Sequence, residues 1–193
     1  MSIRTIVCFG DSNTWGYVPA SDGERFPRDV RWPARLQASL GESFEVIAEG
    51  LNGRTAAVES PVEDGRNGLP YFLPCLRSHK PVDLVVVFLG THDVGFLNDE
   101  LVARSVGRLV KLARTSETGP GRGSPQVLVV CPPPIGEREL GAAFAAVCAE
   151  LDCPLLDLGG TTRYSDDDVE HLDADGHAAV ARAVEERVRQ LLA

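Results

Sequence analysis

The run DLVVVFL (83–89) is apolar without alternation. A strand with one face in water alternates apolar and polar residues, so an unbroken β-branched run of this kind is buried on both faces. That is the condition of a parallel sheet held between helices. Similar runs at Thr5–Phe9, Phe44–Ala48, Val127–Cys131 and, more weakly, Leu155–Leu158 bring the number of expected strands to five. Segments with helical spacing lie between them, at Trp32–Leu40, Leu69–His79, Glu100–Ala113, Arg138–Leu151 and Asp175–Leu192. In the last of these Ala179, Val180, Ala183, Val184, Val188 and Leu191 share one face. The alternation predicts an α/β fold, a three-layer flavodoxin-like sandwich with a five-stranded parallel sheet, helices on both faces and right-handed crossovers. A chain of 193 residues with 44% hydrophobic content can bury one sizeable core. Neither SETGPGRGSP (116–125) nor CPPPIGE (131–137) is long enough to link two domains, so residues 1–193 are expected to form one.

The formal charge of −9 and the scatter of the basic residues disfavour phosphate backbones and anionic membrane surfaces as partners. MSIRTIVCFG enters a strand pattern with no charged leader, apolar core or cleavage site, and no later run has membrane-spanning length. A soluble, cytoplasmic protein without nucleic-acid or membrane partners is the expectation. The five cysteines (Cys8, Cys75, Cys131, Cys148 and Cys153) form no CxxC pair and show no metal-ligand spacing. Cys8 and Cys131 lie in strand-like runs, where a thiol behaves as a small hydrophobe.

Ligands of doubly wound folds sit beyond the carboxyl ends of the strands. At those places the chain carries GDSNTWG (10–16), EGLNGRT (49–55), GTHD (90–93) and CPPPIGE (131–137), with DDDVEHLDADGH (166–177) leading into the last helix. Neither GxGxxG nor GxxxxGK[ST] occurs, so a recognisable phosphate cradle is absent. In GDSNTWG two roles compete: Asp11 or Ser12 can cap the following turn, or Ser12 can be a nucleophile. A serine nucleophile needs a base of near-neutral pKa that is itself held by a carboxylate. Of the four histidines, His79 reads as a helix-end residue and His177 as a packing or capping residue, which leaves His92 and His171. His171 follows Asp168 by three positions, and such a turn can set imidazole and carboxylate side by side. The acidic run 166–168 also reads as a solvated turn.

GDSNT near the start, GLNGRT after the second strand, GTHD after the third and DVEHL near the end resemble the four blocks of the SGNH, or GDSL-type, serine esterases and acyltransferases. The match is in order along nearly the whole chain. CFGDSNTWGY, EGLNGRT and RNGLPYFLPCLRSHKPVDLVVVFLGT are similar to the small bacterial arylesterase and acyltransferase branch. This resemblance implies Ser12 as nucleophile, His171 as general base and then acid, and Asp168 as the group that orients His171. It implies an oxyanion hole made of the backbone N–H groups of Ser12 and Gly53 and a side-chain donor at position 92. It places Trp15 and Asn13 at the substrate, requires no cofactor or metal, and leaves a homo-oligomer open. The family pattern has asparagine at position 92, where this chain has His92. An imidazole can donate a hydrogen bond, though with another reach and angle, and it titrates. The loss of one such donor costs about a hundred- to a thousandfold in turnover.

Arg54 and Asp93 flank the expected oxyanion residues and could join their loops by an ion pair, while GERFPRDVRW (23–32) reads as a rim of the site. The leading expectation is a serine esterase that hydrolyses or transfers small acyl groups of a small-molecule ester through an acyl-enzyme. Two alternatives stand beside it. One is a metal-dependent phosphoesterase built on Asp11, His92, Asp93 and the run 166–168, and the other a non-catalytic small-ligand module on the same fold.

Overall fold

Strand β3 (Leu84–Phe88) has all five residues buried and lies at the middle of a five-stranded sheet in the computed structural model, which describes residues 3–61 and 63–193. It is flanked by β1 (Arg4–Gly10) and β4 (Gln126–Cys131), with β2 (Phe44–Gly50) and β5 (Leu155–Asp157) at the edges. The order is β2-β1-β3-β4-β5 and every pairing is parallel. This is the flavodoxin-like order, and its direction reverses between β1 and β3. The crevice outside the ends of those two strands is therefore where Gly10 and Phe88 deliver the chain.

Alternation along the strands divides the core. Ile6, Cys8, Val86 and Phe88 point to one face, where they meet Trp32 and Leu36 of α2 (Trp32–Leu40) and Val180, Val184 and Val188 of α6 (Ala174–Leu191). Val7, Phe9, Val85 and Val87 point to the other face, against α3 (Gly68–Ser78), α4 (Asp99–Arg114) and α5 (Gly141–Glu150). Each large apolar side chain removed from water in these layers contributes about 1.5–3 kcal/mol. Caps fix the helix starts: Asn98 accepts from the Leu101 amide at 3.0 Å and Asp173 from the Gly176 amide at 2.7 Å.

Two local outcomes differ from the periodicity. The helix expected from Arg138 begins at Gly141, because Arg138 pairs through its backbone with Ile135 and holds Asp99 and the carbonyls of Val94 and Leu97 with its guanidinium. GDSNTWG is also more than a loop, since Ser12–Trp15 forms a single helical turn, α1. No helix among the described residues is long and apolar enough to cross a membrane.

Candidate active site

Close packing dictates how the chain leaves β1. A Cβ at Gly10 would lie 2.0 Å from Thr14 Oγ1 and 2.8 Å from the Phe88 carbonyl oxygen, so only glycine fits there. Asp11 then caps α1, its Oδ1 accepting from the Asn13 amide at 2.9 Å, which frees Ser12 from that duty. Cap and nucleophile candidate are thus neighbouring residues. Asp11 is fully buried, and burial raises its pKa against the opposing charges of His92 and His171.

The loop before α6 returns to this point. His171, 8% exposed, has Nε2 3.0 Å from Ser12 Oγ and Nδ1 2.9 Å from Asp168 Oδ2. Asp168 also accepts from the amides of Ala20 (2.9 Å), His171 (2.8 Å) and Glu170 (3.2 Å). Burial acts to raise its pKa, but these bonds outweigh it and hold the carboxyl below the ordinary range. The acidic run is therefore not uniformly solvated: Asp168 faces the imidazole, whereas Asp166 pairs with Arg163 at the surface.

Asn13 departs from its expected place at the substrate. It is 1% exposed, its Nδ2 donates to the Glu170 carbonyl at 2.9 Å, and its Oδ1 accepts from the Leu172 amide at 2.9 Å. The side chain brackets His171 by gripping the residue on either side of it. Trp15 is half-buried, with the Arg25 guanidinium 4.6 Å from its ring centroid. It does not line the cavity beside His92.

Opposite His171 stand the second and third blocks. Gly53 has φ +70° in the turn closed by the Arg54 amide on the Leu51 carbonyl, a conformation that favours glycine. Arg54, 4% exposed, donates to the carbonyls of Gly10 (2.9 Å) and Glu49 and lies over the Phe9 ring, tying this turn to the ends of β1 and β2. Asp93 accepts from the Ala56 amide with both oxygens, each at 3.0 Å. Burial, with the charge of Asp11 adding to it, pushes Asp93 up to about 7. The expected Arg54–Asp93 ion pair is therefore not formed; each holds its loop through backbone partners instead. His92 Nε2 lies 3.5 Å from Ser12 Oγ, at the outer limit of a hydrogen bond, so the hydroxyl has an imidazole on two sides. His92 and Gly53 also line a cavity of about 380 Å³ with Val94, Phe96, Ile135 and Val169.

The donors of the metal-dependent alternative do not converge: Asp11 caps α1, Asp93 binds Ala56, Asp166 pairs with Arg163 and Asp168 serves His171. One His/Cys/Glu group with ligand atoms within 4.8 Å of one another occurs among the described residues, at Glu49, Cys75 and His79. There Glu49 accepts from His79 at 2.7 Å and from Tyr71 at 3.1 Å, beside the Arg54 cation. Burial first, then the Glu49 charge, pushes the Cys75 thiol up to about 12, so the group is a hydrogen-bonded hub. His177 is fully buried and takes the Trp32 amide at 3.4 Å, a packing role. Residues 23–32 lie mostly at the surface, with Arg25 and Arg31 bonded to the carbonyls of Trp15 and Phe26. Tyr17 and Ala20 also touch the site, and a sequence read locally gives no sign of it, because their partners lie some 150 positions away.

A family model described as the GDSL-like lipase/acylhydrolase family matches residues 8–179. The native M. smegmatis aryl esterase structure is 36% identical over 97% of this chain and 99% of its own, with a TM-score of 0.91. Est24, a carbohydrate acetylesterase from Sinorhizobium meliloti, is 30% identical over 97% of this chain and 99% of its own, also at 0.91. A carbohydrate acetylesterase family member from Sinorhizobium meliloti is 35% identical over 98% and 99%, at 0.90. No curated protein matches the sequence.

Proposed function

Because the chain belongs to the GDSL-like lipase/acylhydrolase family, we propose that it is a serine esterase in which Ser12, His171 and Asp168 carry out acyl transfer. The observation that carries this reading is the line from Asp168 Oδ2 to His171 Nδ1 (2.9 Å) and from His171 Nε2 to Ser12 Oγ (3.0 Å). Ser12 Oγ attacks the ester carbonyl as Nε2 takes its proton. Asp168 holds the ring in the required tautomer and stabilises the imidazolium that forms. The carbonyl oxygen, now an oxyanion, receives the N–H groups of Ser12 and Gly53 and a third bond from His92 Nε2. Such donors count most when they are fixed in advance in a site shielded from water. Collapse breaks the bond to the alcohol oxygen, which leaves with the proton from His171, and the acyl group remains on Ser12. Water, or a second alcohol, then attacks by the same proton path in reverse, giving the acid or a new ester.

Similarity to an aryl esterase and to carbohydrate acetylesterases supports small acyl esters as substrates. Val94, Phe96, Ile135 and Val169 give the cavity beside His92 an apolar side suited to a small acyl or aryl group, and Glu63, Arg66 and Glu170 line it as well. Five buried, unpaired cysteines are in keeping with the cytoplasmic setting we propose.

The test is p-nitrophenyl acetate turnover by the full chain and by Ser12→Ala. The wild type is expected to release product steadily and Ser12→Ala to lose more than about a thousandfold. A wild type no faster than Ser12→Ala would leave the non-catalytic module as the better account, and activity lost to a chelator would favour the metal-dependent one.

A further inference from the structure

The segment that follows the nucleophile turn folds back as a strap. Tyr17 and Arg25 form an antiparallel bridge, the Val18 amide donates to the Glu24 carbonyl at 3.0 Å, and the Phe26 amide donates to the Gly16 carbonyl at 2.8 Å. From this strap two groups reach the base–carboxylate pair at the far end of the sequence. The Tyr17 ring lies on His171, with centroids 4.3 Å apart and planes 20° from parallel. The Ala20 amide donates to Asp168 at 2.9 Å, from a residue with φ +53°, a left-handed backbone that a non-glycine residue adopts at a cost. The tyrosine is itself fixed: its hydroxyl donates to the Ser21 carbonyl at 2.8 Å and accepts from the Gly23 amide at 3.2 Å, and its amide donates to the Ser12 carbonyl at 3.1 Å.

We propose that Tyr17 is a positioning residue of the esterase reaction, its ring fixing the plane of the His171 imidazole and stabilising the imidazolium formed when Ser12 is deprotonated. The inference rests on the serine-esterase reading above. Two edges of the imidazole are held, by Asp168 and by Ser12, and rotation out of that line needs the face to be free; Tyr17 covers it. The ring contributes more in the transition state than before it, because an aromatic face attracts a cation more strongly than a neutral ring. The expected gain is therefore in kcat, not in substrate affinity. A cation held over an aromatic face is worth about 2- to 30-fold in rate.

Tyr17→Leu and Tyr17→Phe in the full chain separate this role from a structural one. Tyr17→Leu keeps apolar bulk and removes the ring, and its kcat on p-nitrophenyl acetate is expected to fall about 3- to 30-fold with KM within twofold. Tyr17→Phe keeps the ring and loses the bonds to Ser21 and Gly23, so its melting temperature is expected to drop while kcat stays within about threefold. Two results would overturn the proposal: a Tyr17→Leu enzyme as fast as wild type, or two variants whose rates fall together in step with their melting temperatures. Should Tyr17→Leu not fold, Tyr17→Met takes its place, and a wild-type kcat in that variant overturns the proposal. The parent reading fails separately, if Ser12→Ala retains wild-type turnover.

Discussion

Replacing Asn13 by alanine discriminates a bracket from a substrate contact. In the folded chain its amide satisfies the Glu170 carbonyl and the Leu172 amide, both at 2.9 Å, on the two sides of His171. Alanine leaves both groups without a partner in a site that water reaches poorly, at about 1–3 kcal/mol each. The sum, roughly 2–6 kcal/mol, corresponds to a melting point lower by about 4–24 °C for a chain of this size. The chemistry suffers as well, because the imidazole that stands 3.0 Å from Ser12 Oγ loses the grip on its flanking residues. Misplacement by about 1 Å can cost a hundredfold, so kcat should fall about 10- to 100-fold. KM should stay within about twofold, since the amide is buried and bonded to the backbone of the loop that carries His171. Asn13→Asp should not rescue the loss: it keeps the acceptor for Leu172 but turns a carboxylate oxygen towards the Glu170 carbonyl. Circular-dichroism melts and p-nitrophenyl acetate kinetics on the same preparations give all three quantities. A variant that melts like the wild type and shows only a raised KM would refute the reasoning and return Asn13 to the substrate.

The remaining predictions concern two histidines. His92→Ala should reduce kcat by about a hundred- to a thousandfold, whereas His92→Asn, which still presents an amide N–H, should stay within about tenfold of wild type; equal losses in both would refute donation from this position. His177 is pushed down to about 4, by burial first and then by the charge of Arg35. A value below the ordinary 6.5 favours the neutral ring in the folded chain, so its stabilising contribution is complete above about 6.5 and is lost as pH falls through about 4, on the order of 3 kcal/mol in all. Unfolding free energies from urea titrations between pH 7 and 4 should therefore drop more steeply for wild type than for His177→Asn, by up to about 1.4 kcal/mol per pH unit, and parallel curves would contradict it.

The architecture is legible because DLVVVFL and its counterparts state their burial directly, and burial on both faces admits few sheet types. Ser12, Asp168 and His171 lie in the blocks that carry the family resemblance; chemical type alone leaves them open to capping and solvated-turn readings, and the fold sets Ser12 3.0 Å from His171 and His171 2.9 Å from Asp168. What the sequence hides is partnership. The family resemblance puts Asn13 at the substrate, and only the arrival of residues 170–172 shows that it grips a loop. Arg54 and Asp93 carry opposite charges on adjacent loops, yet backbone carbonyls and an amide satisfy them better than each other. Arg138 has the spacing of a helix and is kept out of one by Asp99 and two carbonyls. Tyr17 has no local signal, since its ring partner lies 154 positions on. Periodicity reports what a segment buries; it does not report against whom.

The hydroxyl at position 12 and the imidazole at position 171 meet across a separation of 159 positions, one from each end of the chain. A chain cut before position 171 keeps the hydroxyl but has no imidazole to meet it, so shortening from the carboxyl end removes the 3.0 Å contact whatever else still folds.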